Sequence, residues 1–328
     1  MSTNSAEIMN EGVNGVSKRK MPLPTVGIPS LMKKQRRVAM VTIITPALAT
    51  LLAIVLAFIN GIGVTEALSF LIMYTLVNLG IEFGFHRNIA HNAFKAKKWL
   101  TYTFAVLGSM AAQGSITYWV ATHRRHHLHS DTEHDPHSPH ARNVGESEDN
   151  MPFLKGVLHS HIGWMFNDKM TNMTMFAKDL NKSEGFCRIN DNYISIVMAG
   201  LLLPAVVAYL ITGSYYAALM GVLWGGFVRM FVGHHSTWLN SSFSHLYGGK
   251  TFDAGDRSRN NYWCAIPTFG ASFQNNHHAF PWSAYLGFRW YQVDIAGYFV
   301  SLCKSLKLVW NVRCPTEAQK NEKRVSAV

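Results

Sequence analysis

The sequence predicts an all-α integral membrane protein with four transmembrane helices in two hairpins and two polar segments on one membrane face. Three observations carry this expectation. The chain has 328 residues, 48% hydrophobic and only 15% charged, well below the roughly 25% charge of soluble domains. Four apolar runs are joined pairwise by short links. Sixteen histidines, many of them clustered, fall at or beyond one end of those runs.

Residues 1–37 form a polar lead, read as disordered over its first thirty residues and lacking the early apolar stretch of a signal peptide. It ends in a basic cluster, Lys33, Lys34, Arg36 and Arg37. Residues 38–60 are nearly free of charge and long enough to span a bilayer, which takes about 20 residues. A short link leads to a second span at 67–85. Spans three and four, 193–212 and 215–233, are separated by two residues. Pro46 and Pro204 lie inside spans, where membrane helices tolerate them. The intervening segments 86–192 and 234–312 complete a domain over 38–312, and 313–328 is a polar tail. Within it, Lys320 to Arg324 reads as a solvated face or a lipid-headgroup contact. The stretch 99–121 is apolar but interrupted by Gly108, Gln113 and Gly114, and reads as an interfacial or partly buried helix, with a full span as the alternative.

The positive-inside rule places the basic cluster, and hence both polar segments, in the cytoplasm. Lys95, Lys97 and Lys98 after the second span agree, and the opposite links carry no Lys or Arg. The net charge of +11 therefore fits anionic lipid, while no basic helix interleaved with base-reading residues supports nucleic acid. Cys187, Cys264, Cys303 and Cys314 are too scattered for a disulfide framework or a zinc knuckle.

Three histidine clusters stand out: His86 to His91, His123 to His127, and Gln274 to His278, with His245 between the last two. On a helix, His123, His126 and His127 share one face, whereas His86 and His91 would point about 140° apart. The adjacent pair His277 and His278 also diverges, and diverging neighbours can serve two ions. Many imidazoles with few thiolates or carboxylates suit iron, zinc, copper or nickel, and eight of them exceed one four-ligand zinc site. Two irons activating oxygen fit these numbers best. Glu82, one turn before His86, either holds the outer nitrogen of His86 or snorkels at the interface. His129, His134, His137, His140, His159 and His161 read as solvated or supporting residues near Asp131, Glu133 and Asp135; His234 and His235 are open.

These residues resemble the histidine boxes of the membrane fatty-acid desaturases, most closely the acyl-CoA (stearoyl-CoA, delta-9) branch and its bacterial relatives. The likeness covers about residues 40–310. It includes Gly84-Phe85-His86-Arg87, Trp119-Val120-Ala121-Thr122-His123-Arg124-Arg125-His126-His127, Asp135-Pro136-His137, Ser160-His161-Ile162-Gly163-Trp164, Asn275-Asn276-His277-His278-Ala279-Phe280-Pro281 and Arg289-Trp290-Tyr291-Gln292-Val293-Asp294. The resemblance implies a cytosolic helical cap holding a di-iron site ligated by His86, His91, His123, His126, His127, His245, His277 and His278. It implies molecular oxygen as co-substrate and NAD(P)H-derived electrons from a separate ferredoxin or cytochrome b5-type donor. Two hydrogens would leave neighbouring methylenes of a chain carried on CoA, acyl-carrier protein or lipid, giving a cis double bond. Three departures touch the site. Gln274 replaces a histidine of the acyl-CoA branch, although front-end desaturases also carry glutamine; the readings open for it are a ligand through its carbonyl oxygen, a holder of a water, or neither. Ser241, with Asn240 beside it, replaces an asparagine that holds a metal-bound water, and Asn92 replaces an arginine.

The expected activity is thus acyl desaturation, with a carrier-protein-dependent acetylenase or hydroxylase as the related alternative. A metal transporter or an inactive scaffold homologue are the alternatives of another class. Histidines at a membrane edge, not at the midplane, count against transport. The expected location is a bacterial cytoplasmic membrane.

Overall fold

The computed structural model describes residues 23–140 and 152–325. Residues 1–22, most of the expected polar lead, lie outside the described residues.

Four helices are long and apolar enough to cross a membrane: Pro29–Asn60, Val64–Ala90, Tyr193–Thr212 and Tyr215–Phe243. Gly61 (φ 77°) and Gly213 (φ 66°) close the first helix of each hairpin in backbone conformations that favour glycine. Leu51, Phe58, Leu210 and Ile211 point outward, 58–88% exposed, as lipid-facing side chains do, because the helices satisfy their own backbone groups. Between the helices the contacts are small and close. A β-carbon at Gly221 would meet the Pro204 carbonyl oxygen at 2.6 Å, and one at Gly225 would meet Pro204 Cβ at 2.7 Å. Ala53, Met220, Leu223 and Val228 form the shared core of the hairpins.

Four boundaries differ from those the sequence predicts. The second helix, expected over 67–85, runs from Val64 to Ala90. The first helix starts at Pro29, so the basic cluster lies in its opening turns. There Arg36 pairs with Asp168, and Gln35 donates to the Met165 carbonyl. The fourth helix continues ten residues past 233 and carries His234 and His235 within it. The stretch 99–121 is two helices, Lys98–Ser109 and Ile116–His129, separated by a break where Ala112 and Gly114 take positive φ. Twelve residues rise only about 18 Å, so the full-span alternative does not hold.

The second and fourth helices each contain a π-helical stretch, Gly80–Ala90 and Gly221–Val228. In the first, Gly80 and Gly84 form a smooth face against the helix Lys98–Ser109. A β-carbon at Gly80 would come within 2.2 Å of the Gly108 nitrogen, and one at Gly84 within 2.9 Å of the Phe104 carbonyl oxygen. The polar tail is largely exposed, yet it is tethered to the fold. Lys323 donates to the Ala279 carbonyl and lies over the Phe280 ring, and Lys320 lies over Phe288. Backbone bonds from Asp253 to Lys323 and from Val325 to Thr251 fasten the tail's end.

Candidate metal centre

The π-helix decides where the first box points. The His91 amide donates to the His86 carbonyl five residues back, at 3.1 Å, the bonding step of a π-helix. The two imidazoles therefore meet, ring centroids 5.1 Å apart, instead of diverging as α-helical spacing would require. Arg124 then ties this box to the second. Its guanidinium donates to the carbonyls of Ile89, Ala90 and Phe176 and grips both carboxylate oxygens of Asp179. Arg87, buried, donates to both oxygens of Asp294 and to the Ala284 carbonyl, fastening the second helix to the segment beyond the third box.

Two sets of imidazoles result. His86, His91, His123, His127 and His277 each offer a ring nitrogen within 4.8 Å of the others, and His126, His245 and His278 form a second such group. The single face expected for the second box is split. His123 and His127, one turn apart, join the first set, while His126, about 100° round from His127, faces the second. His277 and His278, adjacent on the helix Gln274–Ala279, likewise go to opposite sets.

The first set fits a metal ion on its own geometry. Nε2 contacts run from His86 to His277 at 2.9 Å, His277 to His127 at 2.9 Å, His127 to His123 at 3.1 Å and His123 to His91 at 2.7 Å. A metal–imidazole bond is about 2.0–2.1 Å, which sets two nitrogens at right angles roughly 3 Å apart. The cluster lacks the protons to explain those contacts as hydrogen bonds, because a neutral imidazole has one N–H. The Nδ1–H of His86 is already given to Glu82, at 2.8 Å. Of the two roles left open for Glu82, the structure selects the partner of His86. Burial first, and then the neighbouring imidazoles competing for protons, push His91, His123, His127 and His277 well below the usual histidine range, leaving neutral donors.

The second set is held by carboxylates. Asp135 accepts from His126 Nδ1 at 2.9 Å, Asp131 from His245 Nδ1 at 3.0 Å, and Asp256 from His278 Nδ1. These bonds leave the Nε2 lone pairs of His245 and His278 buried and without a partner. Burial pushes all three carboxyls up, but the facing imidazoles outweigh it and hold them well below the usual range. For His245 the nearby aspartates overcome burial and raise its pKa.

Gln274 and Asn240 are buried, each with a side-chain carbonyl oxygen that has no partner. Ser241 is half-buried on the last turn of the fourth helix. Of the two roles left open for the remaining histidines, His137 and His140 take the supporting one. His137 is buried against the His126 ring, centroids 4.4 Å apart, and burial takes its pKa down to about 3. His140 bonds the His245 carbonyl, and His234 donates to the Ala111 carbonyl at 2.7 Å, a packing role. His161 and His235 bond each other at 3.0 Å and belong to neither set. Asp131 and Asp135, noted only as neighbours in a polar loop, and Asp256, which no spacing pattern marks, are supporting residues whose role sequence reasoning misses. The signal available for them is scarcity: only 19 acidic residues occur in the whole chain.

Fold and site together define a histidine-rich protein with long apolar helices and three groups of metal-capable ligands, the two imidazole sets and a third of His126, Asp135 and His137 that shares His126 with the second. Residues 64–298 match the family model for fatty acid desaturases, and the chain belongs to that family. It is 41% identical over 283 residues to a hex-5-enoyl-[acyl-carrier protein] acetylenase of Moorena producens, covering 86% of this chain and 88% of the relative. It is 38% identical over 253 residues to an sn-1 stearoyl-lipid 9-desaturase of Anabaena variabilis, covering 76% and 84%. A Synechocystis sn-1 stearoyl-lipid 9-desaturase is 34% identical over 253 residues, covering 76% and 72%.

Proposed function

We propose that this chain is an oxygen-dependent acyl desaturase acting at a di-iron centre held by the two imidazole sets, with His86, His91, His123, His127 and His277 on one iron and His126, His245 and His278 on the other. The observation that carries this reading is the convergence of lone pairs: five Nε2 atoms in one cluster, and two partnerless Nε2 atoms beside it. Bound iron would supply the oxidising power that side-chain acids and bases lack for an unactivated C–H bond. The residues do the rest. Glu82, Asp131, Asp135 and Asp256 fix the tautomer and orientation of four imidazoles, and such partners also make the rings better donors. Arg87 and Arg124 lock the boxes against one another. In balance, two methylenes lose two hydrogens, O₂ takes these with two electrons and two protons, and two waters form.

The names of the relatives favour a chain delivered on lipid or on acyl-carrier protein over acyl-CoA. The electrons are expected from a separate ferredoxin or cytochrome b5-type protein. The reading also puts the site on the cytoplasmic side of a bacterial membrane, following the basic opening turns of the first helix. A second reading, acetylenase, is favoured by the 41% identity to the Moorena protein. The test presents one acyl chain as lipid, carrier-protein thioester and CoA thioester to the purified protein with oxygen and a reduced ferredoxin system. An alkene from the lipid or carrier-protein form supports the proposal, and an alkyne supports the second reading. No oxidised product from any form of the iron-loaded protein overturns both.

A further inference from the structure

The end of the first histidine box is completed by residues from elsewhere in the chain. A helix leaves its last carbonyls without partners of its own. Here Asn92 takes a left-handed conformation (φ 49°), and the next residue, Ala93, donates to the Arg87 carbonyl. Arg124 serves the carbonyls of Ile89 and Ala90. The following two, those of His91 and Asn92, accept from one guanidinium nitrogen of Arg313, at 2.7 Å for His91. His91 is also the residue whose amide makes the π-helical bond to His86.

The C-terminal tail brings Arg313 to this place. Val309–Trp310 pairs antiparallel with Lys95–Ala96. The Arg313 amide donates to the Ala93 carbonyl at 3.0 Å, and its carbonyl accepts from Ala284 at 2.9 Å. The Ala284 carbonyl in turn accepts from Arg87 at 2.8 Å. The bonds close a ring, from the first box through Ala284 and Arg313 back to the first box. Arg313 is exposed, so apolar burial does not explain its placement. A cation at the negative end of a helix, giving charge-assisted bonds to its carbonyls, does.

We infer that Arg313 is a positioning residue for the five-imidazole set: by gripping the carbonyls of His91 and Asn92 it keeps the π-helical turn closed and His91 aimed at its neighbours. The three-imidazole set has supports of its own, Asp131, Asp135 and Asp256, and should be indifferent to Arg313. This rests on the di-iron reading above.

The test uses the full-length protein in detergent, stripped of metal and loaded with ⁵⁷Fe(II). Arg313→Ala should weaken the binding of one iron about tenfold, the scale of a lost outer partner. It should also shift one Mössbauer doublet, the one that His91→Ala removes, and leave the other. Arg313→Lys keeps a charged donor and should restore most of the affinity and the native doublet. In the metal-free protein, hydrogen exchange over 86–93 should quicken in Arg313→Ala. It should not quicken in Lys320→Ala, a tail variant that loses contacts to Glu317 and Phe288. Native affinity and native doublets in Arg313→Ala overturn the inference while leaving the di-iron reading intact. Equal weakening by Lys320→Ala, or of both irons together, also overturns it, because the tail would then act on the fold at large. No iron uptake by the native protein defeats the di-iron reading, and the inference with it. If Arg313→Ala does not fold, the shorter, neutral Arg313→Gln carries the same predictions.

Discussion

The His91 amide bonds to the carbonyl of His86, five residues back, at 3.1 Å, and this one bond brings both imidazoles into a common cluster. In an α-helix the same residues would point about 140° apart. The π-helical turn is thus part of the site, and Gly80 and Gly84 sit in it against the neighbouring helix.

Gly84→Val should disturb that turn. The added carbons meet the Phe104 carbonyl oxygen, which is backbone and cannot rotate away. Overpacking of this kind costs about 1–3 kcal/mol. The expected result is a lower thermal midpoint together with loss of iron from the five-imidazole set. Unchanged iron content would show that the cluster does not depend on this packing.

The Arg87–Asp294 pair is buried on both sides, with side chains 1% and 4% exposed. Asp294 also accepts from the amides of Leu286, Gly287 and Gly297. Removing one partner of such a pair costs about 3–5 kcal/mol. Asp294→Ala should therefore be strongly destabilising in unfolding by denaturing detergent. Replacing both residues by apolar ones should recover part of the loss, and a small effect from the single variant would refute the clamp.

Asp135→Asn tests the support behind His126. The amide keeps the shape but loses the charge, and second-sphere changes of this kind cost about 10–100-fold in metal affinity. Glu184→Gln, which removes a carboxylate from an exposed pair with Arg188, serves as the control. Competition with a chromophoric chelator should separate them, and equal affinities would count against the role given to Asp135.

The apo protein should lose stability as the pH falls below about 6.5, the usual histidine value. His91, His123, His127 and His277 have folded pKa values well below it; His278 lies at about 4 and His137 at about 3, all lowered first by burial. The unfolded chain then binds more protons than the folded one, so protonation favours unfolding from about pH 6.5 downward. His245, with its pKa raised, works in the opposite sense but alone. Thermal midpoints of metal-free protein should fall steadily between pH 7 and pH 5; a flat or rising profile would contradict the burial described.

Much of this architecture was legible because a bilayer demands long apolar helices. The runs after Val38, Ala67, Tyr193 and Tyr215 announce themselves by length alone, and the boxes by histidine density. Three features were not legible. Nothing in residues 80–90 distinguishes a π-helix from an α-helix without knowing what Gly80 and Gly84 touch. Asp131 and Asp256 reach His245 and His278 from 114 and 22 residues away, distances that no helical spacing rule covers. The docking of Lys320 and Lys323 depends on the rings of Phe288 and Phe280, which only the folded chain brings near.

The most direct test of the account is the fatty-acid profile of a host expressing this chain beside one expressing His127→Ala, with double bonds located by mass spectrometry. His127 Nε2 touches both His123 and His277 in the five-imidazole set, so its loss should break the centre. A new unsaturated acyl chain made by the native protein and absent with the variant is the predicted result. The same new product from both proteins would contradict the account.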